Sequence, residues 1–103
     1  MRDLTVNDFD EAVKSETPVL VEFWAAWCMP CKIFAPVLEQ LSGEMDGKAQ
    51  FCKLNIDDHQ SLAVKYGIEV IPTVILFKGG YELDRAAGIL QKGDVVKMIA
   101  AHI

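Results

Sequence analysis

The sequence is poor in the residues that bind metal ions or cross-link secreted proteins. It has three cysteines and two histidines among 103 residues. An odd number of cysteines does not suit a scaffold held by several disulfides, and it fits a reducing compartment in which two thiols react and one stays buried. A structural zinc ion needs about four ligands, and beyond Cys28 and Cys31 only the scattered Cys52, His59 and His102 remain. We therefore expect no metal site.

Long apolar runs and basic clusters are also missing. No stretch approaches the roughly 18 apolar residues that span a bilayer, and no apolar segment typical of a targeting peptide follows Met1-Arg2-Asp3. The 15 acidic and 10 basic residues give a net charge of −5, which disfavours nucleic acids and anionic membranes as partners. We expect a cytoplasmic protein, unless a targeting peptide was removed before residue 1, and the length predicts a single domain over residues 1–103.

Two cysteines three residues apart stand where a buried strand is expected to turn into a helix. Residues 19–24 form an apolar run rich in β-branched and aromatic side chains, interrupted only by Glu22. Pro30 is tolerated in the first turn of a helix, so the helix should begin close to Cys28. Cys28 is then the predicted cap, with Cys31 one turn inside. Apolar residues continue at helical spacing: Ile33, Phe34, Val37, Leu38 and Leu41.

This arrangement suits redox chemistry. Residues three apart on a helix lie about 5 to 6 Å apart at Cβ, which permits a disulfide once the first turn adjusts. The unpaired N–H groups and the positive end of the helix dipole favour the thiolate of Cys28 over the thiol. Cys28 is therefore the predicted nucleophile and Cys31 the resolving thiol. A C-x-x-C pair can also be half of a zinc site, but no second pair accompanies it.

The whole chain predicts the order β-α-β-α-β-α-β-β-α, which indicates a mixed sheet with helices on both faces. The first helix should be capped by Asn7 or Asp8 and end near Glu16, and Pro36 should bend the second. The sequence also predicts an edge strand at 4–6, strands at 49–56 and 73–77, and a hairpin strand at 81–86 after Gly79-Gly80. Gly43 and Gly47 should bracket the exit of the second helix, and a third helix should run from Asp57 to a stop at Gly67. The apolar face of a closing helix should hold Val95, Met98, Ile99 and Ile103.

Three residues outside the cysteine pair leave alternatives open. Glu22 either points to solvent at a strand edge or is buried, in which case its pKa rises toward neutrality. Lys53, on the next strand, is either its partner or an ordinary solvent-facing lysine. The bond before Pro72 would be trans on general chemistry, because only about 5 to 6 per cent of such bonds in folded proteins are cis. Cys52 is expected to be an inert buried thiol.

Several motifs in this order closely resemble the thioredoxin family over almost the entire length. Residues 27–32, Trp-Cys-Met-Pro-Cys-Lys, are similar to the family's Trp-Cys-Gly-Pro-Cys-Lys, and Phe23-Trp24-Ala25 precedes them as in the family. Residues 53–57, Lys-Leu-Asn-Ile-Asp, and 71–73, Ile-Pro-Thr, also stand in the family's places. The resemblance implies an α/β fold, with a central mixed five-stranded sheet of order 1-3-2-4-5 flanked by four helices. It also implies a cis bond before Pro72.

The resemblance assigns roles by position. Cys28 attacks and Cys31 resolves, so the pair forms a redox-active disulfide and no bound cofactor is needed. Glu22 and Lys53 match the family's buried aspartate and the lysine beside it, which assist proton transfer, and Pro72 packs against the disulfide. The substrate-binding surface would comprise Trp27, Met29, Val70, Ile71, Gly88 and Ile89. The implied partners of this monomeric protein are proteins that contain disulfides, and thioredoxin reductase, typically a flavoprotein that uses NADPH, as electron donor.

Two departures from the family pattern bear on function. Met29 replaces the usual glycine, which favours the first helical turn by up to about 1 kcal/mol. Glu22 is one methylene longer than aspartate. The leading hypothesis is a general protein disulfide reductase. An oxidase or isomerase of the same fold, or a binding subunit that uses the surface around the C-x-x-C without cycling its thiols, are the alternatives.

Overall fold

The computed structural model describes residues 1–103 and has five strands and four helices. In chain order they are β1 (Arg2–Asp3), α1 (Phe9–Val13), β2 (Val19–Trp24), α2 (Met29–Glu44), β3 (Gln50–Asn55), α3 (Gln60–Lys65), β4 (Thr73–Lys78), β5 (Tyr81–Ala87) and α4 (Lys92–Ala100). This element order is the one predicted from the sequence. None of the helices is both long enough and apolar enough to span a membrane.

The strands form one mixed sheet in the order β1-β3-β2-β4-β5, as the resemblance implied. β3 is parallel to both β1 and β2, whereas β4 is antiparallel to β2 and to β5. The β4–β5 register contains a bulge between Leu76 and Phe77. In the centre of the sheet Glu22 is the register partner of Lys53 on one side and of Val74 on the other.

The two faces of β2 enter different hydrophobic clusters. Val19, Val21 and Phe23 belong to the cluster that also contains α1 and Leu62 of α3. Leu20 belongs to the opposite cluster, with Phe34 of α2 and further residues of α2 and α4. Because side chains alternate along a strand, Glu22 and Trp24 share the face of Leu20. The strand therefore directs a carboxyl group toward α2.

Several predicted boundaries were wrong. The edge strand lies at Arg2–Asp3 and not at 4–6, and Leu4 instead buries its side chain in the core. α1 ends at Val13, three residues before Glu16, and α3 begins at Gln60 rather than Asp57. The remaining differences concern α2, which runs through Gly43 to Glu44, and α4, which ends before an exposed Ile103.

Glycines act where the chain must turn with a positive φ. Gly67 follows α3 with φ +64°, as expected of a helix stop, and the hairpin between β4 and β5 uses Gly79 and Gly80 at φ +60° and +87°. Positive φ at both central positions is the geometry of the tight hairpin turns that match the twist of a sheet. The predicted hairpin is therefore confirmed, and it places β5 at the edge next to β4.

Candidate active site

The cysteine pair lies where β2 passes into α2. A tight turn follows the strand, with the Cys28 N–H donating to the Ala25 carbonyl at 3.1 Å. Cys28 is the N-cap in an extended conformation, and Pro30 stands in the first turn as predicted. Cys28 and Cys31 form a disulfide with 5.3 Å between their Cα atoms, which lies within the usual range. The predicted disulfide across the first turn of α2 is therefore confirmed.

The helix N-terminus faces the Cys28 sulfur. The backbone N–H of Cys31 donates to Cys28 Sγ at 3.2 Å, and no acidic residue lies in the first turn of α2. A donor of this kind, together with the helix dipole, stabilises negative charge on the sulfur when the disulfide is reduced. Both cysteines are nevertheless buried, at 4% and 3% exposure. Each cysteine therefore exposes only a small part of its surface to a reaction partner.

The loop before β4 closes one side of the disulfide. The Ile71–Pro72 peptide bond is cis, which confirms the implication of the resemblance over the general expectation of trans. Cys28 Sγ lies 3.7 Å from the Ile71 carbonyl oxygen. The Pro72 carbonyl accepts a 2.7 Å bond from the Gly88 N–H, and the Thr73 hydroxyl donates to the Val70 carbonyl. The first of these two bonds joins the loop to Gly88, directly after β5, and the second lies between Thr73 and the loop residue Val70. Together they hold the loop beside the Cys28 sulfur.

Exposed apolar side chains occur among the residues predicted to bind substrate. Trp27 is 68% and Met29 62% exposed, and Val70 and Ile89 are about half exposed, at 53% and 49%. The Trp27 indole N–H donates to a carboxylate oxygen of Asp57 at 2.8 Å. Local sequence signals predict Asp57 as the start of a helix and not as a partner of Trp27; its place in the Lys-Leu-Asn-Ile-Asp motif is the signal that could have pointed to a role at the site.

Glu22 is buried in the sheet at 3% exposure, so the solvent-facing alternative is wrong. One of its carboxylate oxygens and the indole nitrogen of Trp24 have no hydrogen-bond partner. Burial raises the pKa of Glu22 from its ordinary 4.5 to about 7, Lys53 opposes the rise, and Glu39 adds to it. Glu22 and Cys31 line the same cavity of about 230 Å³. The carboxyl group can therefore exchange a proton close to the disulfide near neutral pH.

Lys53 is a neighbour of Glu22 but not its direct ion-pair partner. Its ammonium lies 3.8 Å from a carboxylate oxygen of Asp3 and 5.0 Å from the ring centre of Trp24. It lines the cavity and acts on Glu22 as a nearby positive charge. Of the two alternatives, the structure favours a Lys53 that partly offsets the desolvation of Glu22 as a nearby charge, while its only salt bridge is to Asp3, its register partner on β1.

The remaining reactive side chains stand apart from the pair. Cys52 is buried at 2% exposure in the cluster with α1, and burial raises the pKa of its thiol. This confirms that Cys52 is a buried thiol. His59 accepts from the Val6 N–H at 3.4 Å, and His102 lies 3.5 Å from Asp84. No three His, Cys, Asp or Glu side chains are grouped so as to hold a metal ion.

Comparisons with known proteins agree with this geometry. The family model described as thioredoxin matches residues 1–101. The chain is 44% identical over 100 residues to a thioredoxin of Staphylococcus epidermidis, covering 97% of this chain and 95% of that one. It is 42% identical over 102 residues to a thioredoxin of Rickettsia bellii, covering 98% and 97%. The structure is similar to that of a Malassezia sympodialis thioredoxin, with a TM-score of 0.90 at 29% identity, over 99% and 90% of the two chains.

The fold and its cysteine pair define a thiol–disulfide oxidoreductase. The likeness in sequence extends over nearly the whole chain and includes the segments around the disulfide. The chain belongs to the thioredoxin family.

Proposed function

We propose that this protein reduces disulfides in other proteins and that Cys28 is the attacking thiol. The observation that carries the proposal is the position of Cys28 Sγ, which caps α2 and accepts the N–H of Cys31. In the reduced protein the Cys28 thiolate attacks one sulfur of a substrate disulfide. A Cys28–substrate bond forms, the substrate disulfide breaks, and the other substrate sulfur leaves as a thiolate that takes a proton from water.

Cys31 completes the reaction in the second step. Its thiol gives a proton to the Glu22 carboxylate, and the resulting thiolate attacks Cys28 Sγ. The Cys28–Cys31 disulfide forms, the second substrate thiolate leaves, and two electrons have passed to the substrate. The support for Glu22 is its burial beside the cavity that Cys31 also lines, with a pKa of about 7. Lys53 would assist by stabilising the ionised carboxylate.

We propose that the substrate segment lies across Trp27, Met29 and the cis-proline loop. Val70, Ile71 and Pro72 would contact it on one side of the disulfide, and Gly88 and Ile89 would extend that surface. The exposure of Trp27 and Met29 supports this assignment, because apolar side chains presented to water gain most from covering by a partner.

The electron donor and the compartment belong to the same proposal. Thioredoxin reductase, a separate flavoprotein, would restore the dithiol, and the two sulfurs carry the electrons without a bound cofactor. We place the protein in the cytoplasm as a monomer with one domain over residues 1–103. The free buried thiol of Cys52 suits a reducing compartment, where such thiols stay unoxidised.

Trapping the intermediate tests the mechanism. In a Cys31→Ser variant the mixed disulfide with a substrate such as insulin should accumulate, whereas Cys28→Ser should form none. A Cys52→Ser variant is the matched control and should turn over at the wild-type rate. If Cys31→Ser reduced insulin disulfides as fast as the wild type, the assignment would be refuted.

Two other functions remain distinguishable by experiment. An oxidase or isomerase of this fold needs a more oxidising pair, so equilibration of the protein with glutathione separates it from a reductase. A binding subunit would not cycle its thiols. A Cys28→Ser/Cys31→Ser double variant that retained full function in the cell would favour that role over the reductase.

A further inference from the structure

The cavity beside Glu22 is walled by α2 on one side and the sheet on the other. α2 contributes Cys31, Ala35 and Glu39, which follow one another at intervals of four residues and so form one stripe of the helix. The short side chain of Ala35 leaves room between the two functional groups. The stripe therefore connects the resolving cysteine to a carboxylate two turns further along the same helix.

The charged residues that line the cavity with Glu22 come from three parts of the chain. β3 contributes Lys53, α2 contributes Lys32 and Glu39, and the N-terminus contributes Met1 with its ammonium group. The Glu39 side chain is half exposed at 54%, and one of its carboxylate oxygens forms a salt bridge of 3.4 Å with the N-terminal ammonium of Met1. Glu39 thus stands between the enclosed part of the cavity and water. Among the side chains that line the cavity, it is the one whose negative charge opposes ionisation of Glu22.

We propose that Glu39 is a positioning residue for the resolving step, because its carboxylate at the open side of the cavity controls how readily Glu22 releases and accepts a proton. The inference rests on the proposed role of Glu22 as the acceptor of the Cys31 proton. Glu39 would touch neither substrate nor sulfur and would act through Glu22 alone. Loss of its charge would make the basic form of Glu22 available at lower pH.

The effect of the Glu39 charge on Glu22 agrees with their positions around one cavity. Burial is the main cause that raises the pKa of Glu22 to about 7; Lys53 opposes the rise, and Glu39 makes a smaller contribution to it. A like charge disfavours ionisation of a neighbouring carboxyl group, so removal of the Glu39 charge should lower the titration midpoint of Glu22 by about half a unit. Because Glu39 is half exposed, salt should screen the effect.

A Glu39→Gln variant tests the inference with two readouts. The first is the titration of the Glu22 carboxyl carbon, followed by NMR in the oxidised, carbon-13-labelled protein. The second is the pH profile of substrate release from a preformed mixed disulfide on Cys28. We expect both midpoints to fall by about half a unit, which raises the release rate near pH 6 by about threefold. Both shifts should shrink in 1 M salt, and Glu39→Asp should restore most of the wild-type profile.

Glu44→Gln is the matched control, because it removes an equal charge from α2 at a residue paired with Lys92 and outside the cavity lining. It should leave both midpoints in place. An unchanged Glu22 midpoint in Glu39→Gln, or an equal shift in Glu44→Gln, would overturn the inference even in a fully active reductase. Glu22→Gln separates the two proposals: if its release profile kept the wild-type pH dependence, the role of Glu22 itself would fail.

Discussion

The backbone N–H of Cys31 donates a hydrogen bond to Cys28 Sγ at 3.2 Å. The residue proposed to resolve the mixed disulfide therefore also holds the attacking sulfur, and it does so through its backbone. Substitution of the Cys31 side chain leaves this donor in place. Activation of Cys28 and resolution by Cys31 can thus be separated experimentally.

Cys28 should be the fastest-reacting thiol of the reduced protein. The N–H donor and the helix dipole favour its thiolate, so alkylation by iodoacetamide should level off at a lower pH than for an ordinary thiol, which titrates at about 8.5. Mass-spectrometric mapping of rates against pH measures this, and Cys31→Ser should keep most of the effect. Cys52 in the same sample is the slow internal reference. A Cys28 midpoint equal to that of a free thiol contradicts the prediction.

Glu22→Gln should change the pH dependence of stability. The pKa of Glu22 is raised in the folded protein to about 7, so the wild type loses stability as the pH rises from about 4.5, where the unfolded chain ionises, to about 7. The variant lacks this loss. Its free energy of unfolding relative to wild type should therefore increase by up to about 3 kcal/mol between pH 4 and pH 8.

Urea titrations of oxidised wild type and Glu22→Gln at pH 4 and pH 8 measure this difference in the free energy of unfolding. Glu69→Gln, at an exposed position, is the control and should show almost no change between the two. A relative stability of Glu22→Gln that stayed constant with pH would mean that Glu22 ionises in the fold as it does in the unfolded chain.

Asp57→Ala should weaken substrate binding through Trp27. The indole donates to Asp57 at 2.8 Å, and loss of one such bond is worth about 1 kcal/mol. We expect KM for a protein disulfide to rise about fivefold with little change in kcat, since the cysteine pair is untouched. Asp57→Asn retains an acceptor and should stay near wild type. A fall in kcat at unchanged KM would place Asp57 in the chemical steps instead.

Met29→Gly should lower stability without a loss of packing. Met29 is 62% exposed at the first position of α2, so the expected cost of up to about 1 kcal/mol reflects helix propensity. Met29→Ala, which keeps that propensity, should be nearly neutral. Chemical denaturation compares the three proteins, and the reduction potential of each shows whether the residue favours the dithiol or the disulfide. An equal loss in both variants would point to side-chain contacts.

Two glycine substitutions should have opposite signs. Gly67 has φ +64° and Gly43 lies within α2, and a Cβ at either position meets nothing within 4 Å. Gly67→Ala should therefore cost about 1 kcal/mol in backbone strain, whereas Gly43→Ala should gain about 0.5 to 1 kcal/mol in helix propensity. Thermal or urea unfolding of both variants tests the pair. Equal effects would show that conformation at residue 67 does not set the cost.

The sequence could predict the order of the elements and the position of Cys28, because strand and helix periodicities meet there. It could not place Ile33, which is 60% exposed. Phe34, Leu38 and Leu41, at intervals of four and three residues, define the buried face of α2, and Ile33 falls outside it. Periodicity alone does not decide which of two adjacent apolar residues faces the core.

Local sequence patterns also could not predict contacts between residues that are far apart in the chain. The register of β2 and β3 sets Lys53 beside Glu22, but its ammonium turns to Asp3, which depends on the edge pairing of β1. The bond between Trp27 and Asp57 joins residues 30 apart. The cis bond before Pro72 was expected only from the family resemblance, because local chemistry favours trans.

The two edge strands of the sheet bear on how the protein behaves at high concentration. An unpaired strand at the border of a sheet is a template on which further copies can polymerise. Here β1 offers only two residues, and β5 is irregularly joined to β4 by a bulge and carries Glu82, Asp84 and Arg85 toward its surface. Neither border gives a neighbouring molecule a long, flat, uncharged ladder to extend, so the fold discourages fibril growth at high concentration.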